Sequence, residues 1–130
     1  MLVIKMVSSS LERRWGCLKQ INNKTLMVDF RATLVYKTAE EGGRTTLAKS
    51  GYRPAIKFHF DKMLTSGVQY FVDREWVHSG ETVDADIYIL ASPYFEGCLY
   101  EGLEFKFTEG ARIIGTGTIT KIINEKLRKL

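Results

Sequence analysis

EGLEFKFTEGARIIGTGTITKII, residues 101–123, is the stretch whose reading decides the fold. Leu103, Phe105 and Phe107 alternate with Glu104, Lys106 and Thr108, and beyond a tight turn Ile113, Gly115, Gly117 and Ile119 share a second face. That period of two is the mark of half-buried strands. A two-residue loop at Glu109 and Gly110 would set Phe107 opposite Arg112 and split the apolar set between faces. A three-residue loop through Ala111 sets Phe107 opposite Ile113, Phe105 opposite Gly115 and Leu103 opposite Gly117, so that one face is wholly apolar; this is the expected register. It asks for left-handed backbone at Ala111, where glycine would be easier. Two glycines beneath two large rings suit a strongly bent sheet. Closed β structure is the expectation.

Working outward, the pattern repeats. Val28, Phe30, Ala32, Leu34 and Tyr36 alternate with Asp29, Arg31, Thr33 and Val35, and Val83, Ala85, Ile87 and Ile89 alternate with Thr82, Asp84, Asp86 and Tyr88. In GYRPAIKFHF, residues 51–60, Ile56, Phe58 and Phe60 face one way, with Pro54 placed at a strand start or edge because it lacks a ladder donor. Residues 38–50 carry the chemistry of a loop, and residues 61–80 read as irregular, with Ser66-Gly67 and Ser79-Gly80 as turns around short strand pieces at 68–72 and 76–77. About six alternating strands with no strong helix and no internal repeat predict an all-β fold, a small closed six-stranded antiparallel barrel of Greek-key type. The predicted divisions are an N-terminal extension over 1–24, the barrel over 25–124 and a basic tail over 125–130. Within the extension, Leu11, Trp15 and Leu18 after Ser10 fit a short helix, an extra strand or a loose arm.

Composition sets wider bounds. A chain of 130 residues with 45% hydrophobic and 26% charged residues is one domain able to build a core without disulfides or metals. Cys17 and Cys98 lack any metal-ligand spacing, which points to free thiols and a cytoplasmic location. The opening MLVIKMV is too short for a signal h-region, and no stretch reaches transmembrane length, so no membrane partner is expected. A net charge of +4 permits a polyanionic partner without requiring one.

Three separated motifs, EEGGR at 40–44, GYRP at 51–54 and EGARIIGTG at 109–117, stand in order within a region from Val28 to Ile123 that resembles the C-terminal β-barrel, the third domain, of translation elongation factor Tu. The resemblance implies a six-stranded antiparallel barrel. It also implies contact with tRNA or other RNA, or with a protein partner such as a GTPase chain or a nucleotide exchange factor. Glu109 and Gly110 match the family's hairpin-tip residues that touch the tRNA backbone, whereas Ala55 stands where the family commonly has Gln, Ser92 where it often has Lys, and Leu64 or Thr65 where it often has Thr. Ala111 replaces the family's second Gly. The chain has no GxxxxGK[ST] phosphate loop, and Asn22-Asn23-Lys24-Thr25 lacks the acidic residue of a guanine-reading motif, so GTP hydrolysis is not expected of it.

The candidate functional residues are a basic stripe of Arg53, Lys57 and His59 on the outward side of 51–60, joined by Arg44 and Lys49 from the preceding loop and by Glu109 and Gly110 at the hairpin tip. Lysine and arginine in a row neutralise phosphates, and a turn can aim backbone N–H groups at them. The plain alternative is a solvated strand face with Lys guarding an edge. Lys121, Lys126, Arg128 and Lys129 read as a solubilising tail. His59 and His78 have no acidic or nucleophilic neighbour at a catalytic spacing, and Asp84 and Asp86 fit exposed alternation better than paired catalysis. Gly115-Thr116-Gly117 lies inside a strand and opens no helix, so it is no dinucleotide loop. The function expected is therefore a non-enzymatic binding module without cofactor or metal. The other reading is a protein-contacting or self-associating barrel, with Trp15, Trp76, Tyr94 and Phe95 as an apolar surface patch, or the remnant of a split factor.

Overall fold

The computed structural model describes residues 18–21 and 24–130. Its barrel is built from β3 (Phe30–Tyr36), β5 (Ala55–Phe58), β6 (Leu64–Phe71), β8 (Thr82–Ile89), β9 (Glu104–Glu109) and β10 (Arg112–Ile122). These close in the order β10-β3-β8-β6-β5-β9, every pair antiparallel. β5, β6 and β8 are consecutive neighbours, and β3 lies beside β8 across a long connection, which is a Greek key. Closure leaves the barrel sheet without an unpaired edge. Two small sheets stand apart from it: β1 (Leu18–Ile21) with β2 (Lys24–Met27), and β4 (Ala48–Lys49) with β7 (Trp76–Val77).

The alternation read from the sequence places the core. Phe30, Ala32, Leu34 and Tyr36 of β3 and Val83, Ala85, Ile87 and Ile89 of β8 are all buried, as are Ile56, Phe58, Phe105 and Phe107. The aromatic rings interlock edge to face, Phe107 against Tyr36 at 5.0 Å and Phe105 against Phe30 at 5.7 Å. Such pairs add about 1 kcal/mol each beyond their burial.

The hairpin keeps its apolar face by a different register from the expected one. Its loop is two residues, Gly110 and Ala111, with Glu109 opposite Arg112 and Thr108 opposite Ile113. A bulge between Ile113 and Gly115 then shifts the pairing, so that Phe107 faces Gly115 and Phe105 faces Gly117. Ile114 thereby takes the buried place expected of Ile113. An extra residue on one strand turns the following side chains over, which is how a two-residue loop and an undivided apolar face coexist. The positive φ of 61° falls on Gly110, the first loop position, as in a II′ turn. Ala111 carries no left-handed strain.

Three further expectations are corrected. Ser66-Gly67 is no turn: β6 runs straight through it, and Gly67 is needed because Ile56 lies where its side chain would stand. β5 ends at Phe58, which puts Phe60 at the mouth of the barrel, 41% exposed, instead of in the core. Asp29 is also not on an outward polar face. It is buried, accepting hydrogen bonds from the Ile89 N–H at 2.8 Å and the Asn124 amide at 3.0 Å. The C-terminal segment is a fastening as much as a basic tail. Asn124 caps a 3-10 turn, Glu125–Leu127, and Leu127 is buried, while the Leu99 N–H donates to the Leu127 carbonyl and the Leu99 carbonyl accepts from the Lys129 N–H. Arg128 is held between Glu101 and Glu125. Of the N-terminal alternatives, residues 18–21 are strand, so a helix over 10–20 does not extend through 18–20, and its remainder lies outside the described residues. No helix among the described residues is long and apolar enough to cross a membrane.

Candidate functional site

Strand registers fix which outward side chains stand together. On the outer face of β6, β5, β9 and β10, Leu64 is paired with Lys57, Lys57 with Lys106, and Lys106 with Thr116. The next row brings Ser66, Ala55, Thr108 and Ile113 together. Lys57 and Lys106 are thus directly opposed on neighbouring strands, both exposed and neither in an ion pair among the described residues. Like charges placed so are destabilising. A barrel optimised only for stability would not keep them. We expect Lys106→Thr to leave the fold as stable or to stabilise it by up to about 0.5 kcal/mol in urea titration.

Two grooves share this lysine pair. One, of about 360 Å³, is lined by Lys57, Lys106, His59, Glu104 and Thr116. The other, of about 300 Å³, is lined by Lys57, Lys62, Lys106, Leu64, Thr108 and the hairpin-loop residues Gly110 and Ala111. Among the described residues, the second holds three lysines and no acidic side chain.

At the base of the hairpin tip lies a denser cluster. The Glu109 carboxylate accepts hydrogen bonds from Arg44 and Tyr52, and from Arg112 at 3.2 Å. The Arg44 guanidinium lies 4.6 Å from the Tyr52 ring centre and also donates to the Leu47 carbonyl at 3.0 Å. Burial pushes the Glu109 carboxyl up, but the hydrogen bonds from Tyr52 and Arg44 outweigh it and hold the group below the usual carboxylate range. Burial, and then the hydrogen bond to Glu109, push the Tyr52 phenol well above its ordinary value. These groups brace each other. Glu109 and Arg44 therefore act by positioning the tip, because their charges are already spent on one another.

The structure divides the predicted stripe accordingly. Lys57, His59 and Gly110 line the grooves, and Arg53 is exposed before Pro54 and β5 without an ion pair among the described residues. Arg44 and Glu109 form the brace, and Lys49 lies apart on β4, 3.5 Å from Glu75 and 5.6 Å from the Trp76 ring centre. Sequence reasoning missed Lys62 and Lys106. The signal for Lys106 was present in the hairpin alternation, since the residue between two inward phenylalanines must face outward. Its placement opposite Lys57 needed the β5–β9 pairing, which joins strands far apart in the chain.

The other residues weighed for chemistry have structural partners. Asp86 is buried beneath Arg31, whose Nε lies 2.7 Å away, and Asp84 accepts from Thr33 at 2.7 Å. Of the proposed apolar patch, Trp76 and Tyr94 are exposed, Phe95 is fully buried, and Trp15 lies outside the described residues. Among the described residues no three His, Cys, Asp or Glu side chains converge as a metal site would require. No protein-family model matches the chain.

Proposed function

We propose that the chain is a non-enzymatic RNA-binding module, related to the third barrel of elongation factor Tu, that holds RNA by its phosphate backbone across the β5–β9 face and the hairpin tip. The observation that carries this reading is the opposed pair Lys57 and Lys106 with Lys62 beside them, three cations around one groove whose lining among the described residues holds no acid. Phosphate is the ligand that turns such repulsion into binding energy, because each neutralised phosphate releases condensed counterions. The braced hairpin supports it further, since a tip held rigid by Glu109, Arg44 and Tyr52 presents Gly110 at a fixed place beside the lysines. Sequence is not read by such contacts, which position a backbone instead.

Fluorescence anisotropy with labelled tRNA at low salt tests the reading. Binding should weaken steeply as salt rises, with a log–log slope of about −2 to −3 for three phosphate contacts. Lys57→Glu with Lys106→Glu should cut affinity at least about tenfold and flatten the slope by about two contacts. Absence of tRNA binding at low salt would overturn the proposal. A second reading, contact with a protein or a second copy, is favoured by the exposure of Met63, Leu64 and Leu90 near the start of β6. It predicts association in sedimentation velocity, and a strictly monomeric profile would count against it.

A further inference from the structure

We infer that this face takes an unpaired nucleotide, with its phosphate among Lys57, Lys62 and Lys106 and its base stacked on Phe60. The inference rests on the RNA-binding reading and narrows it from RNA in general to single-stranded RNA. The phosphate belongs in the groove beside the hairpin tip, because the neighbouring groove contains Glu104, whose carboxylate repels an anion. Lys62 comes from the β5–β6 turn, residues 59–63, and so does Phe60. Two residues apart, their Cα atoms are separated by at most about 7 Å, the reach of one nucleotide.

Phe60 is built as a platform. Its ring lies parallel to Phe58, tilted by 10° with centres 5.4 Å apart, yet the residue is 41% exposed. Phe58 is itself fully buried against Phe95 and Phe105, so the exposed ring rests on a rigid aromatic stack. The one acid of the turn, Asp61, lines neither groove; its Oδ1 accepts from the Met63 N–H at 2.8 Å, and the carboxylate lies close enough to Tyr94 to push that phenol up. Tyr94 stands beside the turn, 54% exposed, with its ring against the edge of Phe95. An exposed ring next to a cluster of lysines is the arrangement that binds single strands, since every base has a face to stack and every linkage a charge to neutralise. A duplex gains little from Phe60. Its bases are stacked inside the helix and show only edges, 2′-hydroxyls and phosphates.

The test measures binding of the full chain to a fluorescein-labelled oligouridylate and to a blunt RNA duplex of equal length. The single strand should bind at least about tenfold more tightly, and Phe60→Leu should remove about tenfold of that affinity, as expected for one base stack. The leucine variant retains apolar contact with Phe58, and Phe60→Trp should restore binding. Salt slope and duplex affinity should not move in either variant. Equal affinity for the two RNAs with Phe60→Leu unaffected would overturn the nucleotide site while leaving the RNA-binding proposal standing. Absence of binding to both would overturn the two together.

Discussion

Replacing Gly115 with alanine is expected to destabilise the barrel by about 3 kcal/mol, a fall of roughly 10 °C in Tm for a domain of this size. A Cβ at this position would stand 2.7 Å from the Val35 carbonyl oxygen and still closer to the Phe107 ring. The ring cannot move without giving up its contact with Tyr36, and the carbonyl belongs to the neighbouring strand β3. Alanine restricts the unfolded chain more than glycine and so gains about 0.4–1 kcal/mol. That gain is too small to offset a collision with backbone. Gly117 makes the contrast useful, because there the nearest atoms a Cβ would meet belong to side chains, the Phe105 ring and Leu34 Cδ2 at 2.9 Å. Gly117→Ala should cost about 2 kcal/mol and be partly rescued by Phe105→Leu, whereas Gly115→Ala should resist rescue by Phe107→Leu. Thermal denaturation followed by circular dichroism decides it: a Gly115→Ala protein within about 0.5 kcal/mol of the parent would mean the rings do not lie over the glycines.

The same residues show what a sequence can reveal about a barrel. Alternation in β3, β8 and β9 reports burial directly, because inward and outward positions have period two whatever their neighbours are. Pairing is harder to read. The hairpin register expected from alternation differs from the observed one by the position of a bulge, and bulges follow from closing a sheet of limited circumference, which no local pattern records. The Ser66-Gly67 dipeptide suggests a turn inside β6 for a related reason. Glycine in a turn and glycine beneath a packed side chain look alike until Ile56 is placed over it. Extending the alternation of β5 points Phe60 inward, yet the strand stops at Phe58 and the chain turns away at the barrel mouth.

The candidate site was legible in composition and obscure in arrangement. Lys57 and Gly110 stood out in the linear sequence, and each lines the lysine groove. Arg44 and Glu109 stood out equally, but they neutralise one another across 65 positions of sequence. A charge is available to a ligand only when the fold leaves it unpaired. That condition separates Lys57, Lys62 and Lys106 from Arg44, and it depends on long-range pairing between β5 and β9.

Asp29→Ala is the second substitution expected to have a large effect, about 3 kcal/mol, although the alternation of β3 places Asp29 on the outward side. Truncation leaves the buried Ile89 N–H without an acceptor, at about 1–3 kcal/mol, and takes the partner from the half-buried Asn124 amide as well. The Asp29 backbone would keep its bonds to Ile87, Ile123 and Asn124, so the loss belongs to the carboxylate. Two donors face that carboxylate, which suits its ionised form, but burial acts more strongly and pushes its pKa above the ordinary 3.8. Folding therefore favours the protonated acid. Its contribution to stability is fully present below the unfolded value and declines as pH rises through the folded one. Glu101 and Glu109, held below the usual carboxylate range, contribute in the opposite sense, with stability lost as pH falls. Comparing the parent with Asp29→Asn removes those shared contributions. Asparagine offers one acceptor to two donors and should be less stable than the parent at low pH, with the deficit shrinking as pH rises. A deficit that grows with pH in urea titrations would show that the hydrogen bonds from Ile89 and Asn124, not burial, govern the Asp29 proton.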